Sequence, residues 1–276
     1  MQKVEYDYRN LVQEVLIEGE DRETRNMSTR SIFGTSLSFD LRKGFPLLEG
    51  RKIFYKGVLG ELAALLRQPK HLDDFKAWGC NYWEKWANPD GSINVDYGNA
   101  WFDFEGFNQI ADLKDKLKNN PADRRMIINA WRPHKLDELS LPCCHYSYQF
   151  HVSTEGVLNM IWTQRSADLM IGVPSDMVLA AAWMIAIANE FELTPGACKM
   201  DFGDTHIYSD HIDPAYDYLT SSGDMLNEGK WGDVPGPGPQ WRYIAVPGAD
   251  FCTFDPSELD IQNYNPLRTI SFNLHA

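Results

Sequence analysis

The sequence predicts an α+β fold, because helical and strand periodicities occupy separate stretches of the chain. Apolar residues between Tyr6 and Glu18 recur with helical spacing. From Tyr146 to Val152 they alternate with polar residues, which is the period of a strand with one buried face. The run from Met177 to Phe191 is apolar on nearly all sides and is shorter than a membrane span, which favours a buried central helix.

Further elements are predicted between these stretches. Strands are expected within 31–48, within 126–131 and from Val157, and helices within 57–68 and 107–120. Pro121 ends the second of these helices, and the glycines and prolines of 221–241 indicate a loop. No internal repeat or interdomain linker is visible, so residues 1–276 are expected to form a single domain.

Composition excludes several classes of protein. With 43% hydrophobic and 13% aromatic residues, the chain of 276 residues is expected to be globular. Its formal net charge of -13 argues against nucleic-acid binding, which depends on neutralising phosphates with lysine and arginine. No apolar run approaches the roughly 18 residues that a membrane span needs, and the N-terminus has no signal-peptide core. A cytoplasmic protein without a membrane partner is expected.

The cysteines are also informative. Their number, five, is odd, two of them are adjacent, and none forms a CxxC pair. Neither a disulfide framework nor a zinc site is expected from this pattern, so no metal is predicted. A reducing compartment would suit a reactive thiol.

The adjacent Cys144 and His145 stand where a loop enters the predicted strand. A thiol can act as a nucleophile there, because a nearby proton acceptor or cation raises its thiolate fraction. The alternative is that Cys143 and Cys144 are buried structural cysteines and that His145 is a core histidine. The motifs around this segment favour the first interpretation.

Four motifs, in this order, resemble the thymidylate synthase family of folate-dependent pyrimidine C5 transferases. They are DRRMIINAW at 123–131, LPCCHYSYQFHV at 141–152, QRSADLMIGVPSD at 164–176 and GDTHIYSDH at 203–211. The resemblance runs from about Tyr6 to the C-terminus. It implies a large mixed β-sheet packed by helices, a homodimer, a pyrimidine deoxynucleoside monophosphate as substrate and 5,10-methylenetetrahydrofolate as co-substrate.

The resemblance also implies roles for individual residues. The catalytic group comprises Cys144 as nucleophile, Glu61 as the proton-handling carboxyl group, and Tyr97 and His145 beside the substrate's C5. Substrate binding falls to Arg25, Arg124, Arg125, Gln164, Arg165, Ser166, His206 and Tyr208, and folate binding to Trp83 and Asp168. The last residues of the chain resemble the family's C-terminal tail, which closes over the site.

Two parts of this pattern leave alternatives. Arg25 is the closest match to the family's N-terminal phosphate-binding arginine, but the loop spacing differs by one residue, so Arg22 is the other candidate. In the family, the pair matching Arg124 and Arg125 reaches the phosphate in the partner's site. Because successive strand residues point to opposite faces, this pair is not expected to form one flat patch.

Glu61 lies within the apolar helix predicted at 57–68. An ionised carboxylate in apolar surroundings is costly, so Glu61 is expected to have polar partners or a raised pKa. Ala63 and Ala64 stand where the family has bulkier residues, which suggests a wider folate cleft.

Asp176 is the residue expected to select the substrate. Family members that act on dUMP have asparagine here, whose amide both donates and accepts hydrogen bonds. An ionised aspartate only accepts, which suits the amino group of cytosine and a protonated N3 and opposes O4 of uracil. Aspartate at this position resembles the family's deoxycytidylate hydroxymethylases. The structural alternative is that Asp176 caps the following helix.

The activity expected is hydroxymethylation of dCMP at C5, with Asp176 counted among the catalytic residues. Methylation of dCMP and ordinary synthesis of dTMP from dUMP are the alternatives within the family. A catalytically inactive relative that binds nucleotide is the alternative from another class. The joint presence of Cys144, Glu61 and Arg165 argues against it.

Overall fold

The computed structural model describes residues 3–221 and 238–275. The helices are α1 (Lys3–Glu18), α2 (Tyr55–Leu65), α3 (Leu72–Lys76), α4 (Asn99–Phe102), α5 (Gln109–Asn119), α6 (Gly172–Glu190) and α7 (Ile212–Ser221). The strands are β1 (Glu20–Arg22), β2 (Thr29–Asp40), β3 (Ile127–Asn129), β4 (His145–Val152), β5 (Val157–Asp168), β6 (Thr194–Tyr208), β7 (Gln240–Tyr243) and β8 (Leu259–Gln262). Most of the loop predicted at 221–241 falls outside the described residues.

Six strands form one mixed sheet in the order β1-β2-β6-β5-β4-β3. β5 and β6 are parallel, whereas the other neighbouring strands are antiparallel. β7 and β8 form a separate two-stranded sheet. The predicted α+β class with a large mixed sheet is therefore confirmed.

α6 is the central helix that connects the parallel strands β5 and β6. It is buried along almost its whole length, and the ring of Trp183 stacks on that of Trp101 with centroids 4.3 Å apart. Its apolar character on all sides matches this burial. Among the described residues it alone is long and apolar enough to cross a membrane, and its burial identifies it as a core helix. The predicted central helix is confirmed, although it begins earlier, at Gly172.

The face of the sheet opposite α6 carries a row of exposed side chains. Cross-strand neighbours Ile127, Gln149, Ile161, Lys199 and Ser38 lie on five successive strands, and each is exposed. Alternation along the strands points them away from the core. The sheet therefore presents an uncovered surface that includes apolar residues.

One prediction about the strands is wrong. Arg124 and Arg125 lie in a turn, and β3 begins only at Ile127, so the opposite-face argument does not apply to this pair. Arg125 pairs with Asp123 across 2.8 Å, and 82% of its side chain is exposed. Asp123 holds the turn because it also accepts a hydrogen bond from the backbone N–H of Arg125 at 2.8 Å.

Gly98 follows Tyr97 in the chain and packs against the C-terminal end of α2. Its φ of 76° lies in the left-handed region, and an added Cβ would stand 2.1 Å from the carbonyl oxygen of Leu65. A side chain here therefore meets both backbone strain and a clash with main-chain atoms.

Replacing Gly98 with Ala should lower the free energy of unfolding by about 2–4 kcal/mol, because strain and overpacking add. Gly106→Ala is the matched control, since Gly106 has a φ of 84° and open space around its Cβ position. Denaturant unfolding of both variants separates the two effects. Equal losses in the two variants would show that the contact with Leu65 costs nothing.

Candidate active site

Cys144 lies at the bend that enters β4, half-buried, whereas Cys143 beside it is only 1% exposed. Arg165 on β5 holds this bend from both its backbone and its side chain. Its N–H donates to the carbonyl of Cys144 at 2.8 Å, and its guanidinium donates to the carbonyls of Cys143 at 2.8 Å and Pro142 at 3.1 Å. The partly accessible thiol is therefore that of Cys144.

Tyr97 is the second contact that positions Cys144. Its phenolic oxygen accepts a hydrogen bond from the backbone N–H of Cys144, and its ring lies 4.5 Å from that of His145. Burial raises the pKa of the Cys144 thiol, while the positive charge of Arg165 opposes this effect. Tyr97 and Arg165 thus hold Cys144 in place from two sides.

An ion pair that sequence reasoning missed lies behind this contact. Asp96 is fully buried, and the guanidinium of Arg132 binds it with two nitrogens, Nε at 3.0 Å from Oδ2 and Nη2 to Oδ1. Asp96 precedes Tyr97, and Arg132 opens the segment that leads to Cys144. The pair therefore ties the two segments together. An aspartate in a hydrophobic stretch was the only sequence signal for it.

Glu61 on α2 has the polar partners that its apolar helix predicted. Its carboxyl oxygens accept from the Tyr82 hydroxyl at 2.6 Å and from the Trp83 indole N–H at 2.8 Å. Burial raises the pKa of Glu61 to about 7, and the two hydrogen bonds lower it only partly. Both expected features, partners and a raised pKa, are present in the structure.

His145 and Asp176 face each other, with Nε2 of the imidazole 3.7 Å from Oδ1 of the carboxyl group. Burial lowers the pKa of His145 to about 3, and its Nδ1 is hydrogen-bonded to the Tyr148 hydroxyl at 2.6 Å. The pKa of Asp176 is raised well above its usual value, first by burial and then by the charge of Glu61. Burial thus disfavours the charged form of both groups, which weakens this contact as an ion pair.

The position of Asp176 bears on two expectations. It is the fifth residue of α6, whose N-cap position is Ile171, so Asp176 does not cap the helix. Burial also raises the pKa of its carboxyl group, which favours the protonated acid over the ionised carboxylate considered above. A carboxylic acid has one donor and one acceptor, which changes how the group can read a base.

Gln164 connects Asp176 to the sheet. It is 2% exposed, accepts a hydrogen bond from the Trp162 indole at 3.0 Å and donates to Oδ2 of Asp176 at 2.8 Å. Ser166, two residues further along β5, is half-buried and paired with Asp204 in the sheet. Gln164 therefore contacts Asp176, the residue expected to select the substrate.

Asp168 ends β5 and starts the turn into α6. Its Oδ1 accepts from the backbone N–H groups of Met170 at 2.9 Å and Ile171 at 3.3 Å. Within the described residues its second oxygen has no hydrogen-bond partner. Trp83 is almost fully buried, with its ring stacked 4.9 Å from that of Phe75 and its indole N–H bound to Glu61. An acceptor and an aromatic ring are thus both present for a pterin.

His206 and Tyr208 lie on β6, with ring centroids 5.1 Å apart. Strand pairing places His206 beside Asp168. His206 is hydrogen-bonded through Nδ1 to Asp204 at 3.0 Å, and burial raises the pKa of Tyr208 to about 12. The two predicted sugar-binding residues therefore adjoin the β5 end of the site.

The N-terminal arginines are placed differently from each other. Arg25 is exposed and donates to Asn26 at 3.0 Å. Arg22 forms an ion pair with Asp204 at 2.7 Å, next to His206. Arg22, the alternative candidate, thus has its charge compensated, whereas Arg25 has no acidic partner among the described residues.

The C-terminal residues lie across the site from the Trp83 side to Tyr208. Lys85 donates to the carbonyl of Leu274, and the ring of His275 lies 4.5 Å from that of Tyr208. Asp210 binds His275 at 2.9 Å and the amide of Asn273 at 2.9 Å. Residues 273–275 are therefore bound to Lys85 on one side and to Asp210 and Tyr208 on the other.

The expectation of a wider cleft at α2 is not supported. Ala63 and Ala64 are both buried in the hydrophobic core, so neither lines an open surface. The side chain of Ser175 donates back to the carbonyl of Ile171 at 2.9 Å. Small residues at these positions reflect close packing around α2 and α6.

Replacing Glu61 with Gln should flatten the pH dependence of stability between about pH 4.5 and pH 7. The pKa of Glu61 rises from 4.5 to about 7 on folding, so the folded state holds a proton that the unfolded state has lost, and stability falls as the pH rises through this window. The glutamine variant should therefore exceed the wild type above pH 7, by up to about 3 kcal/mol.

Urea unfolding across this pH range measures the effect. Glu14→Gln, which removes an exposed carboxyl group from α1, is the control and should keep the wild-type profile. An unchanged slope in Glu61→Gln would contradict the buried, proton-holding state of this residue.

Comparison with known families identifies the family of this chain. The family described as thymidylate synthase matches residues 6–276, which is nearly the whole chain. The match covers α1, both sheets, the bend at Cys144 and the C-terminal tail. The chain belongs to the thymidylate synthase family.

Proposed function

We propose that this enzyme converts dCMP into 5-hydroxymethyl-dCMP, with 5,10-methylenetetrahydrofolate and water as co-substrates. Family membership establishes the coarser activity, folate-dependent transfer of one carbon to C5 of a pyrimidine nucleotide. The observation that carries the finer proposal is the placement of Asp176 against Gln164 and His145, where burial raises the pKa of its carboxyl group. Methylation of dCMP and synthesis of dTMP are the alternatives within the family.

Asp176 as a neutral acid complements cytosine. Its O–H can donate to N3, and its other oxygen can accept from the N4 amino group. When a nucleophile adds to C6, electron density moves through C5 and C4 to N3, and the acid can pass its proton to that nitrogen. Because the proton is needed only as the adduct forms, this hydrogen bond lowers the barrier.

Cys144 is the proposed nucleophile. The backbone contacts from Tyr97 and Arg165 fix its position, and the charge of Arg165 favours the thiolate. Cys143 is unsuitable, because it is only 1% exposed, whereas Cys144 is partly accessible. A positioned thiolate gains rate from orientation as well as from its charge.

Glu61 is the proposed proton carrier. Groups that exchange protons work best with a pKa near the operating pH, and the pKa of Glu61 is about 7. The Tyr82 and Trp83 donors keep it in one orientation. Tyr97 and His145 are proposed to support the removal of the C5 proton and to orient water.

Asp168 and Trp83 are the residues proposed to hold the folate. The unpartnered carboxyl oxygen of Asp168 can accept hydrogen bonds from a pterin, and the indole of Trp83 offers an apolar ring beside Glu61. Bound there, 5,10-methylenetetrahydrofolate supplies the one-carbon unit.

The choice of hydroxymethylation over methylation rests on the resemblance at Asp176 and not on cavity size. Ala63 and Ala64, whose small size suggested a wider folate cleft, are buried in the core and line no open surface that could admit water. Trp83 and Leu141 are the residues that would shield the transferred carbon from water. Mass analysis of the product decides between addition of water and addition of hydride.

The proposed assembly is a homodimer in which each chain forms one catalytic domain. Its partner surface is the exposed sheet face around Ile127 and Ile161, because apolar side chains on an open sheet are usually covered. Arg165 lies on the same face of β5 as Ile161 and is exposed. Arg124 and Arg125 of a second subunit are proposed to join Arg165 and Arg25 around the phosphate.

Ser166 completes the proposed phosphate site, and His206 and Tyr208 are proposed to bind the 3′-hydroxyl. No nucleic acid or membrane partner is proposed, and the cytoplasm is the proposed location.

Replacing Asp176 with Asn should lower kcat for dCMP by about 100-fold or more, because an amide cannot deliver an acid proton. Purified wild type and variant are incubated with 5,10-methylenetetrahydrofolate and either dCMP or dUMP, and nucleotide masses are recorded. Wild type should convert dCMP into a product heavier by the mass of CH2O, because a hydroxymethyl group replaces the hydrogen on C5. Preference of the wild type for dUMP would return the assignment to thymidylate synthesis.

Cysteine variants control for the chemistry in this assay. Cys144→Ala should give no product, and Cys143→Ala should remain active. The reverse result would show that the nucleophile is misplaced.

Mixing inactive Arg125→Ala and Cys144→Ala subunits should restore activity to about a quarter of the wild-type sites, because half of the dimers are hybrids with one intact site each. Activity is measured after subunit exchange has been confirmed by native mass spectrometry. The control is a mixture of Glu61→Ala with Cys144→Ala, whose hybrid contains no intact site. Equal activity in the two mixtures would refute a site shared between subunits.

A further inference from the structure

Two buried side chains, Trp162 and Gln164, form a hydrogen-bonded relay that ends on Asp176. The Trp162 indole N–H donates to Oε1 of Gln164 at 3.0 Å, and Nε2 of Gln164 donates to Oδ2 of Asp176 at 2.8 Å. Trp162 and Gln164 are two residues apart on β5 and so share one face of the sheet. Both are buried, at 0% and 2% exposure.

The direction of this relay is not ambiguous. An indole nitrogen can only donate a hydrogen bond, so the atom of Gln164 that faces it must be the amide oxygen. The amide nitrogen then faces Asp176, and it also points towards the carbonyl oxygen of Ser166 at 3.5 Å. Trp162 therefore determines the orientation of the Gln164 amide.

The orientation of Gln164 in turn assigns the two oxygens of Asp176. Oδ2 accepts from Gln164, and the carbonyl oxygen of a carboxylic acid is a better acceptor than its hydroxyl oxygen, so a proton on the carboxyl group is assigned to Oδ1, the oxygen 3.7 Å from His145. The group presents a donor at Oδ1 and an acceptor at Oδ2. Reversing this polarity would place two donors face to face between Gln164 and Trp162 or Asp176, which is costly in a buried site.

Cytosine and uracil differ by the same reversal. At N3 and C4, cytosine presents an acceptor and a donor, whereas uracil presents a donor and an acceptor. A carboxylic acid of free orientation could pair with either base by moving its proton. An acid of fixed polarity pairs, in a given binding pose, with only one of them.

We propose that Trp162 and Gln164 select the pyrimidine base by fixing the polarity of the residue at 176. This inference rests on the proposed function for its direction, because recognition of dCMP places Oδ1 opposite N3 and Oδ2 opposite the amino group. Trp162 is a specificity-determining residue that acts through Gln164 and touches no substrate. Base selection is then a property of β5 together with α6.

Trp162→Phe tests the proposal, because phenylalanine retains a ring but cannot hold the Gln164 amide. With the amide free to rotate, the ratio of kcat/KM for dCMP to that for dUMP should fall by about tenfold or more, since buried polar mismatches carry large selectivity. Trp183→Phe is the matched control. Trp183 is a buried core tryptophan whose indole nitrogen has no hydrogen-bond partner among the described residues, so its loss should leave the ratio unchanged.

The relay is refuted if Trp162→Phe slows turnover of both nucleotides equally, or if Trp183→Phe changes the ratio as much. Should Trp162→Phe fail to fold, Gln164→Leu removes the same constraint on Asp176 and should relax the ratio likewise. Thermal unfolding of each variant accompanies the kinetics.

The outcome also separates this inference from the proposed function. If the wild type prefers dUMP, the substrate assignment fails, but Trp162→Phe should still move the ratio towards the other base. If the wild type turns over neither nucleotide, calorimetric binding constants for dCMP and dUMP replace kcat/KM. An unchanged ratio of these constants in Trp162→Phe would then overturn the inference.

Discussion

The candidate site depends on how one buried and two partly buried carboxyl groups are accommodated. A carboxylate removed from water costs several kcal/mol unless it gains a cation or a proton. Asp96 gains the guanidinium of Arg132, whereas Glu61 is bound by a neutral hydroxyl and a neutral indole. Asp176 is bound by an amide. Asp96 therefore keeps a negative charge that is paired with Arg132 and supports the bend at Cys144. The raised pKa values of Glu61 and Asp176 instead favour their protonated forms.

This division links structure to the proposed chemistry. Because the negative charge of Glu61 raises the pKa of Asp176, loss of a proton from Glu61 favours retention of the proton on Asp176. His145 between Asp176 and Tyr97 stays neutral and so adds no charge that would favour either ionised carboxylate. Proton transfer to the base and to the folate can thus be coupled through a shared, low-dielectric site.

Sequence patterns predicted α1, α2, α5, the central helix α6 and the strand at Tyr146–Val152 because these follow from local periodicity, and they predicted polar partners or a raised pKa for Glu61 from the cost of isolated charge. They did not predict the short helices α3 and α4 or helix α7. The relay from Trp162 and the pair between Asp96 and Arg132 could not be predicted either, because these side-chain contacts depend on how β5 packs against α6 and on how two loop segments meet. The strand was predicted to begin at Arg124 because apolar periodicity does not show that Asp123 binds Arg125 and holds a turn there.

The attachment of the C-terminal tail has a practical consequence. Residues 273–275 are bound to Asp210, and His275 packs on Tyr208, so the end of the described chain is part of the site's enclosure. A purification tag fused after this segment would begin inside that enclosure and compete with it. α1, whose first residue Lys3 is exposed, offers the better point of attachment for tags, labels and immobilisation.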